Sequence, residues 1–313
     1  MGDQPRKVER VIEPSPVMEG AGVRLRRSIA AAALDYLDPF LLFDHFQSDD
    51  PADYLAGFPW HPHRGIETVT YMLAGEVDHR DSIGNAGTIG AGDVQWMTAG
   101  GGIMHEEMPR PGGDGRMGGF QLWVNLPASL KMTKPRYQDL YAAQVPEVRR
   151  DDGAVVRVVA GEVDGVRGAV SEIYADPEYL DVTLPAGASF RQPIPTGHAA
   201  FVYVFQGEGQ FGLGCDLGYR GDLDGELIAA TRLAVLGDGD EVRVEAASSG
   251  VRFLLVSGKP LAEPIARYGP FVMNTREELS LALRDLQNDT FVWRDDAEWA
   301  ARRQTWSPDT FSY

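Results

Sequence analysis

The chain has 313 residues, of which 43% are hydrophobic and 24% charged, a balance typical of a globular protein of one large or two ordinary domains. Its 46 acidic and 29 basic residues give a net charge of -17, which argues against direct binding to DNA or RNA. One cysteine excludes an internal disulfide, and the N-terminus lacks the apolar stretch of a signal peptide, so we expect a cytoplasmic protein.

The first half of the chain alternates short apolar runs with glycine turns, which predicts the strands of an all-β sandwich or barrel. The longest apolar stretch, IAAAALDYLDPFLLF (29–43), contains two aspartates and a proline, so we expect no membrane-spanning helix. The predicted strands are GVRLRRSI (22–29), IETVTYML (66–73), DVQWMTA (93–99), IMHEEM (103–108) and FQLWVNL (120–126).

The second half repeats this organisation after a polar, proline-punctuated segment, 131–147, that we interpret as an interdomain linker. One helix is predicted near the end, because Thr275 and Glu278 have the spacing of a capping box and an apolar stripe follows them. The second series of predicted strands is YLDVTL (179–184), FVYVF (201–205), LAVL (233–236), EVRVE (241–245) and VRFLLVS (251–257).

The two β-rich halves resemble each other. TVTYMLAGE around Gly75 is similar to FVYVFQGEG around Gly207, and GAGDVQWM around Gly92 is similar to GDGDEVRV around Gly239. The second copy is longer between these landmarks, and the loop LGCDLGYRGDLDGEL (213–227) accounts for the difference. We therefore predict a duplicated barrel, with domains at 1–138 and 139–313.

Two pairs of metal-binding residue types occur in the first half, each with one residue between its members. His61 and His63 lie in PWHPHRGIE, and His105 and Glu107 lie in IMHEEM. In a strand, residues i and i+2 project from the same face, so two adjacent strands can bring all four side chains to one ion. Three imidazoles and a carboxylate suit a divalent transition metal such as Fe, Mn, Co, Ni, Cu or Zn.

The carboxylate of this site has two candidates. Glu67 has the strand parity of His63 and competes with Glu107 as the fourth ligand. Either glutamate is also a candidate catalytic base, and the spacing alone does not choose between them. His79, in the hairpin EVDHRDSIGNAG, and His198 are interpreted as loop residues rather than ligands.

The sequence resembles the pirin family of the cupin superfamily. The motifs that carry the resemblance span most of the chain: LDPFLLFDHF, HPHRGIETVTYMLAG, GDVQWMTAGGGIMHEEMP, QLWVNLP and GKPLAEPIARYGPFVMNT. It implies two cupin barrels, also called double-stranded β-helices or jelly rolls, with one metal in the N-terminal barrel. The family ligands correspond here to His61, His63, His105 and Glu107, so the resemblance favours Glu107 over Glu67.

The second copy lacks these ligand types. Alignment on the glycine landmarks places Pro193 and Pro195 where the first copy has its HxH pair, and Arg252 and Leu254 where it has His105 and Glu107. Since proline and leucine side chains cannot bind a metal, we expect the C-terminal barrel to be metal-free.

The family resemblance further implies quercetin 2,3-dioxygenase activity, in which O2 opens the ring of a flavonol and carbon monoxide leaves. We expect one metal per chain, Fe2+ first among the candidates, and a flavonol with O2 as substrates. The alternatives are a regulatory or redox-sensing protein that acts through protein partners, and a cupin isomerase or hydrolase for an unrelated small molecule. Ligands and fold alone do not separate these functions.

Overall fold

The structure is a computed structural model that describes residues 4–113, 115–214, 225–295 and 299. Cys215 and most of the predicted 213–227 loop lie outside them. The strands up to residue 140 are β1 (Val8–Ile12), β2 (Ser15–Glu19), β3 (Val23–Ile29), β4 (Phe40–Ser48), β5 (Phe58–His63), β6 (Ile66–Ala74), β7 (Glu76–Asp81), β8 (Ala86–Gly90), β9 (Val94–Thr98), β10 (Ile103–Arg110), β11 (Met117–Asn125) and β12 (Arg136–Leu140).

The strands continue through the second half, and one α-helix follows them among the described residues. The strands are β13 (Glu147–Arg149), β14 (Val155–Ala160), β15 (Glu162–Val163), β16 (Val166–Arg167), β17 (Glu178–Leu184), β18 (Ser189–Pro193), β19 (Ala199–Phe211), β20 (Glu226–Ala229), β21 (Arg232–Leu236), β22 (Glu241–Gly258), β23 (Ala266–Tyr268) and β24 (Phe271–Met273), and the helix is α1 (Arg276–Gln287). The all-β fold class is confirmed. No helix in the described part of the chain has the length and apolar character that crossing a membrane requires.

The chain forms two compact units. The described residues of 16–30, 40–142 and 261–313 form what we call the histidine unit, and those of 1–15, 31–39 and 143–260 form the filled unit. The predicted domain boundary at 138/139 lies near 142/143, where the chain passes from the histidine unit to the filled unit. The described residues of 1–15, however, belong to the filled unit, and those of 261–313 belong to the histidine unit. Pairing explains the N-terminal exchange, since β1 is antiparallel to β21 of the filled unit.

The histidine unit contains two sheets that enclose a cavity. The larger has the strand order β12-β9-β6-β11-β4-β3-β2, and the smaller has the order β5-β10-β7-β8. Side chains alternate along β11: Gln121 and Trp123 line the cavity, whereas Phe120 and Leu122 are completely buried. Strand alternation therefore places Gln121 and Trp123, on one face of β11, at the cavity wall.

The filled unit contains a nine-stranded sheet with the main order β1-β21-β19-β22-β17-β14-β13. Its core is apolar, and Phe253 makes edge-on contacts with Phe190 and Phe211 at ring-centroid distances of 6.0 and 5.1 Å. The predicted strands 241–245 and 251–257 lie in one long strand, β22. Gly75 and Gly207, the landmarks of the repeat, both have positive φ, 76° and 70°.

Two local predictions have different outcomes. Thr275 caps α1, and its hydroxyl accepts a hydrogen bond from the Glu278 backbone N–H while the Glu278 side chain bonds back, which confirms the capping box. The prediction that 131–147 is a linker is wrong for residues 136–140, because these residues form β12 and pair with β9. Its alternating polar residues belong to an edge strand of the larger sheet.

Candidate metal centre and cavity

Three histidines converge in the histidine unit. On adjacent antiparallel strands, His61 of β5 lies directly opposite His105 of β10, and His63 is two residues from His61 on the same face. The ring centroids of His61 and His105 are 4.3 Å apart, and each lies 4.9 Å from that of His63. One nitrogen from each ring falls within 4.8 Å of the other two, as binding a single ion requires.

The three imidazoles are suited to bind a cation. Burial, together with the neighbouring histidines, lowers the pKa of His63 and of His105 well below the usual histidine value. Both rings are therefore neutral near pH 7 and have lone pairs to donate. The Nδ1 atom of His61 lies 3.0 Å from the Pro59 carbonyl oxygen, which fixes the tautomer with Nε2 as the donor atom.

The buried ring of His105 is a second indication that the site binds an ion or a water. Its side chain is 2% exposed, and neither ring nitrogen has a hydrogen-bond partner among the described residues. Buried polar atoms without a partner are rare in proteins, and an ion or a water satisfies most of them. The donor set therefore fits a transition metal.

Glu107 lies beside the histidine cluster. It follows His105 on β10 after a register shift, and its carboxylate lines the same cavity as the three imidazoles. Burial raises the pKa of Glu107, while His61, His79 and Thr70 oppose that shift. This glutamate is therefore a better proton acceptor near neutral pH than an exposed one.

The structure does not bring Glu67 to the cavity. Gly65 has a φ of 80° and turns the chain between β5 and β6, so strand parity does not continue from His63 to Glu67. Glu67 lies on the opposite face of β6 from the cavity-lining Thr68, and its Oε1 accepts a hydrogen bond of 2.7 Å from Thr98. Burial raises the pKa of Glu67 to about 7.

The cavity has a volume of about 490 Å³, within the usual range for small-molecule sites. Trp123 forms part of its wall and is fixed from two sides: His63 meets it edge-on at 5.2 Å, and the Arg267 guanidinium lies 5.2 Å from its ring centre. On β3 and β4, which lie beside β11 in the same sheet, Arg27 donates two hydrogen bonds to Asp44, of 2.8 and 2.7 Å. The cavity thus presents an aromatic face near the three imidazoles and, in the same sheet, a pair of opposite charges.

A polar layer next to the histidine cluster was missed by sequence reasoning. His79, predicted to lie in a loop, lies on β7 opposite Glu107, and its ring stacks on Tyr137 at 5.8 Å. Its Nε2 lies 3.5 Å from a carboxylate oxygen of Asp139. The signal was present in EVDHRD, where His79 and Asp81 have the same i, i+2 spacing as the recognised pairs.

The corresponding positions of the filled unit have other partners. The Arg252 guanidinium donates two hydrogen bonds to the buried Asp181, of 3.0 and 2.6 Å. His198 lies in a loop, as predicted. Among the described residues, the three-histidine group is the one cluster whose donor atoms are close enough for a shared ion.

Comparison with known proteins gives consistent matches over both halves of the chain. The Pirin family model matches residues 22–124, and the model of the Pirin C-terminal cupin domain matches residues 179–292. A pirin-like protein of Caulobacter vibrioides is 44% identical over 91% of this chain and 99% of its own length.

Solved structures agree with these matches. A quercetin 2,3-dioxygenase from Acinetobacter baumannii is 34% identical, with a TM-score of 0.81 over 92% of this chain and 98% of that one. The bacterial pirin YhhW of Escherichia coli, in complex with nickel(II), is 19% identical with a TM-score of 0.60 over 80% of this chain and 99% of that one, a likeness of fold alone.

Proposed function

Because this chain belongs to the pirin family of two-cupin proteins, we propose that it is a metal-dependent dioxygenase that opens the ring of flavonols such as quercetin. The observation that carries the proposal is the convergence of His61, His63 and His105 on a cavity with an aromatic wall. The relative from Acinetobacter baumannii supports this substrate class, since it bears the name of that activity.

We propose that His61, His63, His105 and Glu107 hold one divalent metal, with Fe2+ as the expected ion. When bound, such a metal supplies positive charge that stabilises an ionised substrate hydroxyl, and redox chemistry with dioxygen. The nickel in the Escherichia coli pirin supports the assignment to a first-row metal and not to Fe2+ in particular. Mn, Co, Ni, Cu and Zn therefore remain alternatives.

Glu107 is the proposed base for the 3-hydroxyl proton of the flavonol. Its carboxylate lines the cavity beside the histidines, and burial raises its pKa, so it accepts a proton more readily than an exposed glutamate. Glu67 lies on the other face of β6, where Thr98 occupies one of its oxygens. The geometry supports Glu107 for this role.

The cavity wall supports a planar aromatic substrate. Trp123 offers a ring that His63 and Arg267 hold in place, so a flavonol can stack on it without ordering a mobile side chain. The surrounding wall includes Leu25, Phe46 and Phe58, which exclude water from the bound rings. The substrate's paired oxygens would then face the histidine cluster.

The test is turnover by the metal-loaded protein. With quercetin in air, the protein is expected to consume oxygen and release carbon monoxide while the flavonol absorbance decays, and none of this occurs under nitrogen. Glu107→Gln, compared at equal metal content, should lower kcat about 100-fold or more, because an amide cannot take the proton.

Glu67→Gln is the matched control and should have a much smaller effect on kcat. An equal or greater effect of Glu67→Gln would transfer the base role to Glu67. Metal-loaded protein that turns over no flavonol in air, yet retains a stable protein partner, would instead support the regulatory alternative.

A further inference from the structure

A second, smaller cavity adjoins the candidate site in the histidine unit; we call it the side chamber. It has a volume of about 40 Å³, and Val23, Val77 and Met117 form its far walls. These three side chains are at most 5% exposed and belong to one apolar cluster of the barrel. These walls of the side chamber therefore belong to the apolar core of the histidine unit.

The side chamber shares a boundary with the large cavity. Phe46, Phe58, Glu107 and Gln121 line both spaces. The Glu107 carboxylate, beside the three histidines, thus lies between the proposed substrate position and the chamber. A molecule in the chamber would reach the reacting groups without passing the bound flavonol.

Most side chains that line the side chamber are apolar or aromatic, and two of its polar residues, Glu107 and Gln121, lie at the boundary with the large cavity. The hydroxyl of Tyr54 donates a hydrogen bond of 2.9 Å to the Gly115 carbonyl, so this residue offers the chamber mainly its ring. Thr70 donates a hydrogen bond of 2.9 Å to the side-chain oxygen of Gln121, a residue at the boundary with the large cavity. An ordered water needs two to four partners, and apolar cavities without them stay dry and accept apolar gases.

The volume of the side chamber limits the class of its ligand. It exceeds the roughly 10–15 Å³ that a single water requires and is far below the several hundred Å³ of an organic substrate site. We infer that the side chamber is a binding site for a small apolar gas, with dioxygen as its ligand. The role of that dioxygen as co-substrate rests on the proposed function, but binding of a gas does not.

Xenon is the probe for the site, because it is apolar and of similar size. Crystals of the metal-loaded protein under xenon pressure should show one xenon atom between Val23, Val77 and Met117. Val77→Phe fills this space and should abolish that density, and Val77→Ile is the milder variant if the phenylalanine prevents folding. Val94→Ile, at a buried valine that lines neither cavity, is the matched control and should keep the xenon.

Kinetics test the dioxygen role separately. Val77→Phe or Val77→Ile should raise the KM for dioxygen several-fold, while the Kd for quercetin measured under nitrogen changes less than twofold. An ordered water in the chamber, or no xenon density in the wild type, overturns the gas site. Xenon binding in a protein that turns over no flavonol keeps the gas site and rejects the proposed activity, so the two failures are distinguishable.

Discussion

At the scale of single residues, burial sets the protonation of the ionisable groups in and around the site. It lowers the pKa of His63 and His105, so both rings are neutral near pH 7. It raises the pKa of Glu107, which lies beside them. It also raises the pKa of Glu67, on the far face of β6, to about 7. The same physical effect thus favours the neutral form of two histidines and raises the proton affinity of two glutamates.

The pKa of Glu67 predicts a dependence of stability on pH. The folded chain keeps the Glu67 proton up to about pH 7, whereas the unfolded chain loses it near the ordinary value of 4.5. Stability from this group is therefore present at low pH and falls as the pH rises through that window, by about 3 kcal/mol in total. Glu67→Gln has no proton to lose and should be more stable than the wild type at pH 8, with the difference vanishing near pH 4.5.

Urea denaturation of the metal-free protein from pH 4.5 to 8 measures this difference, without the separate pH dependence of metal binding. Glu226→Gln, at an exposed glutamate, is the control and should leave the wild-type slope unchanged. Equal slopes for the wild type and Glu67→Gln would contradict the raised pKa.

The same residues show which parts of the site were predictable. The two i, i+2 pairs correctly predicted the three-histidine cluster, because strand alternation is a local property. The parity argument for Glu67 did not account for the turn at Gly65, whose positive φ starts a new strand with a new phase. His79 was missed because the strand β7 carrying it reads as a polar hairpin in the sequence.

At the scale of elements, the turn between β5 and β6 positions the histidine pair. A side chain at Gly65 would collide with the carbonyl oxygen of Val272, so β24 packs directly on this turn. Arg64, completely buried, donates a hydrogen bond of 2.8 Å to Asp285 on α1 and another of 2.9 Å to the Phe291 carbonyl. The element carrying His63 is thereby fixed to the helix that the capping box predicted.

Lys131 is a second attachment of this turn. Its Nζ donates three hydrogen bonds, of 2.9 Å to the Gly65 carbonyl, 2.6 Å to Asn125 and 3.0 Å to the Val272 carbonyl. Burial lowers the pKa of Lys131 to about 7, while Glu263 and Glu278 oppose that shift, and three oxygen acceptors match the three donors of an ammonium group. The lysine is charged below pH 7.

Lys131→Met should therefore destabilise the folded protein by about 3 kcal/mol at pH 6, because three buried acceptors lose their donor. The measurement is the free energy of unfolding in urea. Lys134→Met is the control: that side chain is 64% exposed, and its loss should cost at most about 1 kcal/mol. A cost for Lys131→Met no larger than for Lys134→Met would show that the three hydrogen bonds add nothing to stability.

The helix and most strands were predictable because their signals are local. The capping box and apolar stripe predicted α1, and short apolar runs predicted β6, β9 and β11. β12 was not predicted, because an edge strand with polar alternation has the composition of a linker. The prediction of two separate strands, 241–245 and 251–257, was also wrong, because both belong to β22. Gly250 has a φ of 71°, but the strand continues through it.

At the scale of the whole molecule, the two units have related strand arrangements but different interiors. The histidine unit has an open cavity lined in part by His61, His63 and His105, whereas aromatic and aliphatic side chains pack the core of the filled unit. The duplication could be predicted from the similar sequences around Gly75 and Gly207. The placement of the terminal segments was not, because pairing such as that of β1 with β21 joins residues distant in sequence.

This difference between the interiors predicts the metal content of the chain. Three imidazoles converge in one unit, while Pro193, Pro195 and Leu254 stand at the corresponding positions of the other and have no side-chain atoms that bind a metal. We expect about one divalent metal per chain by elemental analysis after purification. His61→Ala combined with His105→Ala should abolish metal retention, since one remaining imidazole and a carboxylate bind such ions weakly. His198→Ala in the filled unit is the matched control and should retain the wild-type metal content; two metals per chain, or full occupancy in the double variant, would contradict the assignment.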